Sequence, residues 1–220
     1  MINTNFYQTL ISELNEHMCQ LLAVSKTKPI EDIKALYDLG QRIFGENKVQ
    51  EIRAKKQMLP NDIEWHLIGS LQSNKVKLVL PHVQLIHSMD SIKLWEEINK
   101  QSLSANIITN VLIQIKIAEE DTKSGFDAKE LFNFLDSGNF NKYKNVKLCG
   151  VMGMASFTEE EFQIRSEFQT LIKYYDQLQK CYFKDPAFKT ISMGMSSDYK
   201  IAVEEGSNLV RIGSSLFGVR

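Results

Sequence analysis

Short apolar runs alternate with amphipathic stretches along most of the chain. The first element is a helix, because Phe6, Leu10, Ile11, Leu14 and Met18 recur at three- and four-residue steps. From there a two-part unit repeats. Leu21–Ser25 reads as a strand, followed by a helix from Pro29 to Leu39 that opens on proline and stops at Gly40. Arg42–Gly45 is a second strand, with a helix from Lys48 to Met58 ahead of Pro60. Glu64–Gly69 is the third, and a short helix from Asn74 to Leu80 is closed by Pro81. Val83–Ser88 is the fourth, with Asp90 as the N-cap of a helix from Ser91 to Lys100. The fifth strand lies within Ile107–Ile117, and a polar loop from Glu119 to Phe126 separates it from a helix at Ala128 to Leu135. Val146–Met152 and Thr190–Gly194 are strands six and seven, with helices from Glu159 to Tyr182 and from Asp198 to Glu205. Leu209–Ile212 is the eighth strand and runs into Gly213-Ser214.

Alternation of this kind without hairpin turn signals implies crossover connections and a parallel sheet. Eight units predict an α/β fold of one class, a single (β/α)₈ TIM barrel with an extra N-terminal helix. The alternative is an open doubly wound sheet, but no GxGxxG follows the first strand. No linker, low-complexity segment or shift in composition marks a boundary, so residues 1–220 are expected to form one domain.

Composition excludes several classes of function. Lys+Arg 26 against Asp+Glu 27 leaves a net charge of -1, which carries no nucleic-acid footprint. The N-terminus has no basic start followed by an apolar stretch, and no window reaches membrane-spanning length, so neither a signal peptide nor a membrane partner is expected. Cys19, Cys149 and Cys181 lack CxxC spacing and read as reduced thiols of a cytoplasmic protein. His17, His66, His82 and His87 form no metal-binding pattern.

In a barrel of this type the strand ends and the loops after them carry the chemistry. Lys26 follows strand one, and Glu46-Asn47 follow strand two. An ammonium at the end of a buried strand is costly to desolvate, and one use that offsets this is to condense as a free amine with an aldehyde. The alternative is a lysine that snorkels out of the strand end. After strand seven come Ser196 and Ser197, and after strand eight Gly213 and Ser214. The loops after strands seven and eight commonly hold phosphate in such barrels, although each serine alone also suits an N-cap. Residues two apart share a strand face, so Leu22, Val24 and Lys26 lie on one face of their strand, and Leu209, Arg211 and Gly213 likewise share a face of theirs. If the first set faces inward, Arg211 of the neighbouring strand can face the same space; the alternative is a salt bridge to a core carboxylate. An imine-forming lysine, a phosphate cradle and a guanidinium together describe a site for pyridoxal 5′-phosphate (PLP). His66 and the methionines at 152, 154, 193 and 195 fall inside strands and read as barrel filling, as does Trp65 as packing.

Seven segments then carry a resemblance in order along the chain. They begin with Leu21-Leu22-Ala23-Val24-Ser25-Lys26-Thr27-Lys28-Pro29, Phe44-Gly45-Glu46-Asn47-Lys48-Val49-Gln50-Glu51 and Trp65-His66-Leu67-Ile68-Gly69-Ser70-Leu71-Gln72-Ser73-Asn74-Lys75. Lys123-Ser124-Gly125, Gly150-Val151-Met152-Gly153-Met154 and Ser192-Met193-Gly194-Met195-Ser196-Ser197-Asp198 follow. The last is Val210-Arg211-Ile212-Gly213-Ser214-Ser215-Leu216-Phe217-Gly218. Together they resemble the pyridoxal phosphate homeostasis protein family.

The resemblance implies a barrel akin to the N-terminal domain of alanine racemases. It implies PLP on Lys26, phosphate contacts at Ser196, Ser197, Gly213 and Ser214, Arg211 near the ring nitrogen, and Asn47 as a pocket residue. It further implies a non-catalytic carrier that supplies PLP to apo-enzymes. The competing reading is an amino-acid racemase or decarboxylase on the same barrel. Arg220 lies a few residues past the eighth unit, so the second, β-rich domain that completes such enzymes is expected to be absent. Lys28 and Lys123 read as solvated loop lysines; the alternative is that both flank the mouth and accept the aldehyde transiently, easing its exit by transimination.

Overall fold

The computed structural model describes residues 2–119 and 124–218. Its eight strands are β1 (Gln20–Val24), β2 (Ile43–Glu46), β3 (Glu64–Leu67), β4 (Leu85–Met89), β5 (Thr109–Gln114), β6 (Val146–Met152), β7 (Thr190–Ser192) and β8 (Leu209–Ile212). They pair in sequence order, all parallel, and β8 pairs back onto β1 with Leu22 opposite Arg211, so the sheet closes into a barrel. The expected (β/α)₈ fold is the observed one.

The helices are α1 (Thr4–Glu16), α2 (Ile30–Asp38), α3 (Val49–Lys56), α4 (Val76–Val79), α5 (Ile92–Ser104), α6 (Ala128–Asp136), α7 (Glu161–Cys181), α8 (Tyr199–Glu204) and α9 (Ser214–Phe217). The extra helix α1 starts at Asn3, whose side chain accepts the Phe6 N–H, and it buries Tyr7, Leu10 and Leu14. Asn3 N–H also donates to Leu216 O at 2.8 Å, which ties the two ends of the chain together.

The ends of the fourth and fifth barrel helices differ from expectation. The fourth helix is α4 flanked by 3₁₀ turns at Ser73–Lys75 and Leu80–His82, and Pro81 lies inside the second turn instead of after the helix. Proline fits there because the first turn of a helix leaves its N–H without a partner. The N-cap of α5 is Ser91, whose hydroxyl accepts from Leu94 N–H, while Asp90 accepts from the Ser91 hydroxyl.

Strand alternation sorts the core into two parts. One face of the sheet, with Phe44, Trp65, Ile86, Val111, Val151 and Ile212, packs against the helices in one continuous cluster. Trp65 packs there as expected, at 6.0 Å from Phe44. The other face fills the barrel, where Leu85, Leu112 and Met152 form a separate apolar cluster. Met193 belongs to the outer cluster and lies past the end of β7, so it does not fill the barrel.

β7 has three residues and shares one registered pair with β8, Ser192 with Leu209. Side chains reinforce this seam. Asn208 accepts the Ile191 N–H at 2.7 Å and donates to Lys189 O at 2.7 Å, and the Ser207 hydroxyl donates to Met193 O at 2.7 Å.

β6 carries a bulge: Val111 pairs with Leu148 and Leu112 with Gly150, so Cys149 is the extra residue. Gly150 has φ +145°, and a Cβ there would lie 1.8 Å from Thr190 O. Gly150→Ala therefore combines left-handed strain with a backbone clash, and we expect a loss of roughly 2–5 kcal/mol. Urea unfolding measures it; an unchanged midpoint would show that β6 and β7 can separate without cost.

Candidate functional site

The strand ends open on a cleft of about 470 Å³. Lys26 and Asn47 line it from the ends of β1 and β2. Ser196 and Ser197 line it from the loop after β7, and Arg211, Gly213 and Ser214 from β8 and its continuation. All seven residues singled out from the sequence thus meet in one cavity. Val24, Ile68, Met152, Met154, Phe157 and Met195 supply its apolar lining. Inward-facing Met152 and mouth-lining Met154 and Met195 account for three of the four methionines.

The two serine loops are joined directly. The Ser196 hydroxyl accepts the Gly213 N–H at 3.4 Å. Neither serine caps α8: its N-cap is Asp198, which instead accepts the Met195 N–H at 2.5 Å and closes the turn that carries both serines. Gly213 packs closely on β1, where a Cβ would lie 3.1 Å from both Val24 Cβ and Val24 O. Ser214 is the first residue of α9.

Arg211 is 5% exposed, and its hydrogen bonds go to neutral groups. Nη1 donates to Ser192 O at 2.8 Å and to Ser192 Oγ at 2.7 Å, and Nη2 donates to Gly153 O at 3.0 Å. Burial lowers its pKa to about 10, with the Asp198 charge acting the other way, so the guanidinium stays charged at neutral pH. The alternative of a salt bridge to a core carboxylate is not what holds it: among the described residues no carboxylate bonds to it.

Below Arg211 a hydrogen-bonded chain runs through the barrel. Ser192 Oγ lies 3.2 Å from His87 Nδ1, and His87 Nε2 lies 3.0 Å from His66 Nδ1. Guanidinium can only donate, so Ser192 Oγ accepts from it and keeps one proton and one lone pair for its contact with His87 Nδ1. One proton is shared between His87 Nε2 and His66 Nδ1, so the two imidazole tautomers are set together. His66 also borders a second cavity of about 620 Å³ at the opposite end of the barrel. His66 fills the barrel as expected, with a polar role that the sequence did not reveal.

Glu46 was expected at the open face and is elsewhere. As the last residue of β2 it faces the helix layer, fully buried, and Oε1 accepts from Ser25 Oγ at 2.6 Å and from Lys55 Nζ at 2.6 Å. Burial pushes its carboxyl up to about 7, while the bonds to Lys55 and Ser25 pull it down. Lys55 is a residue that sequence reasoning missed. Its signal was present: in α3 it follows Val49 and Ile52 at apolar spacing, and a cation on the buried stripe of a helix needs a buried partner.

Lys28 donates to Phe217 O at 3.3 Å and Gly218 O at 2.9 Å, so it ties the loop after β1 to the end of α9. Lys123 lies outside the described residues. Among the described residues there is no group of three or more potential metal-ligating side chains, and no helix is long and apolar enough to cross a membrane.

The family model described as alanine racemase, N-terminal domain, matches residues 3–220. The pyridoxal phosphate homeostasis protein of Aquifex aeolicus is 41% identical over 209 residues, spanning 93% of this chain and 89% of that protein. The chain belongs to the pyridoxal phosphate homeostasis protein family. PipY of Synechococcus elongatus, solved without PLP, superposes with a TM-score of 0.88 at 34% identity, covering 96% of this chain and 98% of that one. PipY with PLP bound gives 0.83 at 33% identity, covering 94% and 98%. The alanine racemase of Clostridium difficile shares the barrel fold, with a TM-score of 0.74 at 16% identity, covering 96% of this chain and 55% of that one.

In this family member the buried imidazoles carry a stability cost in acid. Burial lowers His66 to about 4 from its ordinary 6.5. Below 6.5 the unfolded chain binds a proton that the folded chain refuses until about pH 4. Stability is therefore full above pH 6.5 and falls on acidification through that window, by about 3 kcal/mol for His66 alone. His66→Gln should show a shallower loss of urea midpoint between pH 7 and pH 4.5. Parallel losses in the variant and its parent would remove His66 as the cause.

Proposed function

We propose that this chain is a single-domain cytoplasmic carrier that binds PLP in the cleft and releases it to PLP-dependent apo-enzymes, without catalytic turnover. One observation carries the reading: a primary amine, a buried guanidinium and two joined serine loops line the same cavity. The name shared by its relatives and the PLP bound to PipY support it.

The residues present fit the group. Lys26 would hold the aldehyde as a Schiff base. Ser196, Ser197 and Ser214 offer hydroxyls to a phosphate. Gly213 leaves its backbone N–H uncovered by any side chain of its own. Arg211, fixed by Ser192 and Gly153, would present a permanent donor to the ring nitrogen, and Asn47 lines the same pocket. When bound, the cofactor supplies an electrophilic carbonyl and a pyridine ring able to accept electron density. An arginine partner leaves that ring unprotonated and weakens it as an electron sink.

The racemase or decarboxylase reading has less to support it. Racemisation needs acid–base groups on both faces of the reacting carbon. Among the described residues lining the cleft, Lys26 and Arg211 are the ionisable ones, and the others are apolar, amide or hydroxyl side chains or glycine.

Borohydride treatment of the protein with PLP should fix a pyridoxyl group on Lys26, and Lys26→Ala should lose the yellow absorbance. Peptide mapping that recovers the adduct on another lysine would overturn the assignment. The holo-protein should show no turnover of L-amino acids by chiral chromatography; a rate within the ordinary range of ~1–10³ per second that Lys26→Ala abolishes would install the enzyme reading.

Anchoring is tested separately. Each charge-assisted phosphate bond is worth roughly 1.5–3 kcal/mol, so Ser196→Ala or Ser197→Ala should weaken PLP by about ten- to a hundredfold and pyridoxal far less. Unchanged PLP affinity in both variants would place the phosphate elsewhere.

A further inference from the structure

Lys26 lines the cleft just past the end of β1, and the peptides on both sides of it are gripped from behind the sheet. Lys55 Nζ donates to Ser25 O at 2.8 Å, the carbonyl of the peptide joining Ser25 to Lys26. The Glu51 carboxylate accepts the Thr27 N–H at 2.7 Å, the amide of the peptide joining Lys26 to Thr27. Both side chains leave α3 one turn apart, and they meet each other at 3.4 Å. Glu46 seats Lys55 at 2.6 Å and holds the Ser25 hydroxyl at 2.6 Å.

The backbone here is not relaxed. Thr27 has φ +64°, a left-handed conformation that costs a β-branched residue energy. Such a residue persists where its surroundings over-determine it. The Glu51 bond to its N–H, and the Lys28 N–H bond to Ser25 O at 3.0 Å, do so.

We propose that Glu51 and Lys55, seated by Glu46, are positioning residues that hold Lys26 in the backbone conformation from which its amine reaches a carbonyl carbon in the cleft. The inference rests on the reading of Lys26 as the Schiff-base lysine. In that condensation Nζ bonds to the carbonyl carbon, and the carbonyl oxygen leaves as water with two protons from the free amine. Rate depends steeply on approach geometry, and a misplacement of about 1 Å can cost about a hundredfold. An ion pair with a purely structural role would cost stability and leave this step alone.

The test compares Glu51→Ala, Glu51→Gln and the double variant Glu46→Gln/Lys55→Met, which removes both buried charges together so that neither is left unpaired. Stopped-flow absorbance should show adduct formation with PLP slowed about ten- to a hundredfold in Glu51→Ala and in the double variant. Glu51→Gln, which keeps an acceptor for the Thr27 N–H, should recover most of the rate. The 4′-alcohol analogue of the cofactor cannot condense, and all variants should bind it as the parent does. Parental condensation rates in both Glu51→Ala and the double variant would overturn the proposal.

A second readout needs no cofactor. Amide hydrogen exchange at residues 26–28 should speed up about tenfold in Glu51→Ala and return toward the parent in Glu51→Gln. Unchanged exchange in Glu51→Ala would also overturn the proposal. If exchange responds but the parent forms no adduct, the clamp stands and the Schiff-base reading falls.

Discussion

A guanidinium buried in the barrel sets the terms for everything around it. Arg211 cannot lose its proton at neutral pH and cannot accept a hydrogen bond, so each group it meets has to be an acceptor. Ser192 and Gly153 meet that demand with two carbonyls and a hydroxyl. The hydroxyl carries the line on to His87 and from there to His66. Linked polar side chains thereby run from the charge at the mouth to the far end of the barrel. The same buried charge is available to whatever occupies the cleft.

The fold keeps two polar systems apart by using both faces of one sheet. The Arg211 line lies inside the barrel, where charge is carried by a single cation and the imidazoles are held neutral by burial. The Glu46–Lys55 pair lies outside the sheet, against α3, where one carboxylate oxygen and an ammonium meet at 2.6 Å. Strand alternation produces this separation without further machinery: Leu22 and Val24 point inward, while Ala23 and Ser25 point toward α2 and α3. Lys26 sits where the two systems come closest along the chain, with its side chain on one side of the sheet and the contacts of its neighbours on the other.

Much of this was legible in the residues, and the limits are physical. Period-two and period-3.6 patterns are local, so the eight units emerged, and β6 and β8 have the expected bounds. Strand three was expected to run to Gly69 but ends at Leu67, because the chain there turns to line the mouth. The cleft residues were recoverable because barrel geometry sends strand ends to one face. What did not show was any contact that closure creates. His87 and Ser192 are 105 residues apart and meet only because β4 and β7 face each other across the interior. Glu46 read as an open-face residue because its burial depends on a helix that begins three positions later.

The cleft also straddles the most thinly knit part of the barrel. Ser196 and Ser197 follow β7, and Gly213 and Ser214 follow β8, on either side of a seam with one registered pair. Asn208, which stitches that seam to Ile191 and Lys189, lies at the opposite end of the strands from the serines. The two loops are coupled both through that seam and at the mouth itself, where Gly194 O accepts the Arg211 N–H at 3.0 Å and the Ser196 hydroxyl accepts the Gly213 N–H. Any parting of β7 from β8 would therefore be felt at both serine loops at once.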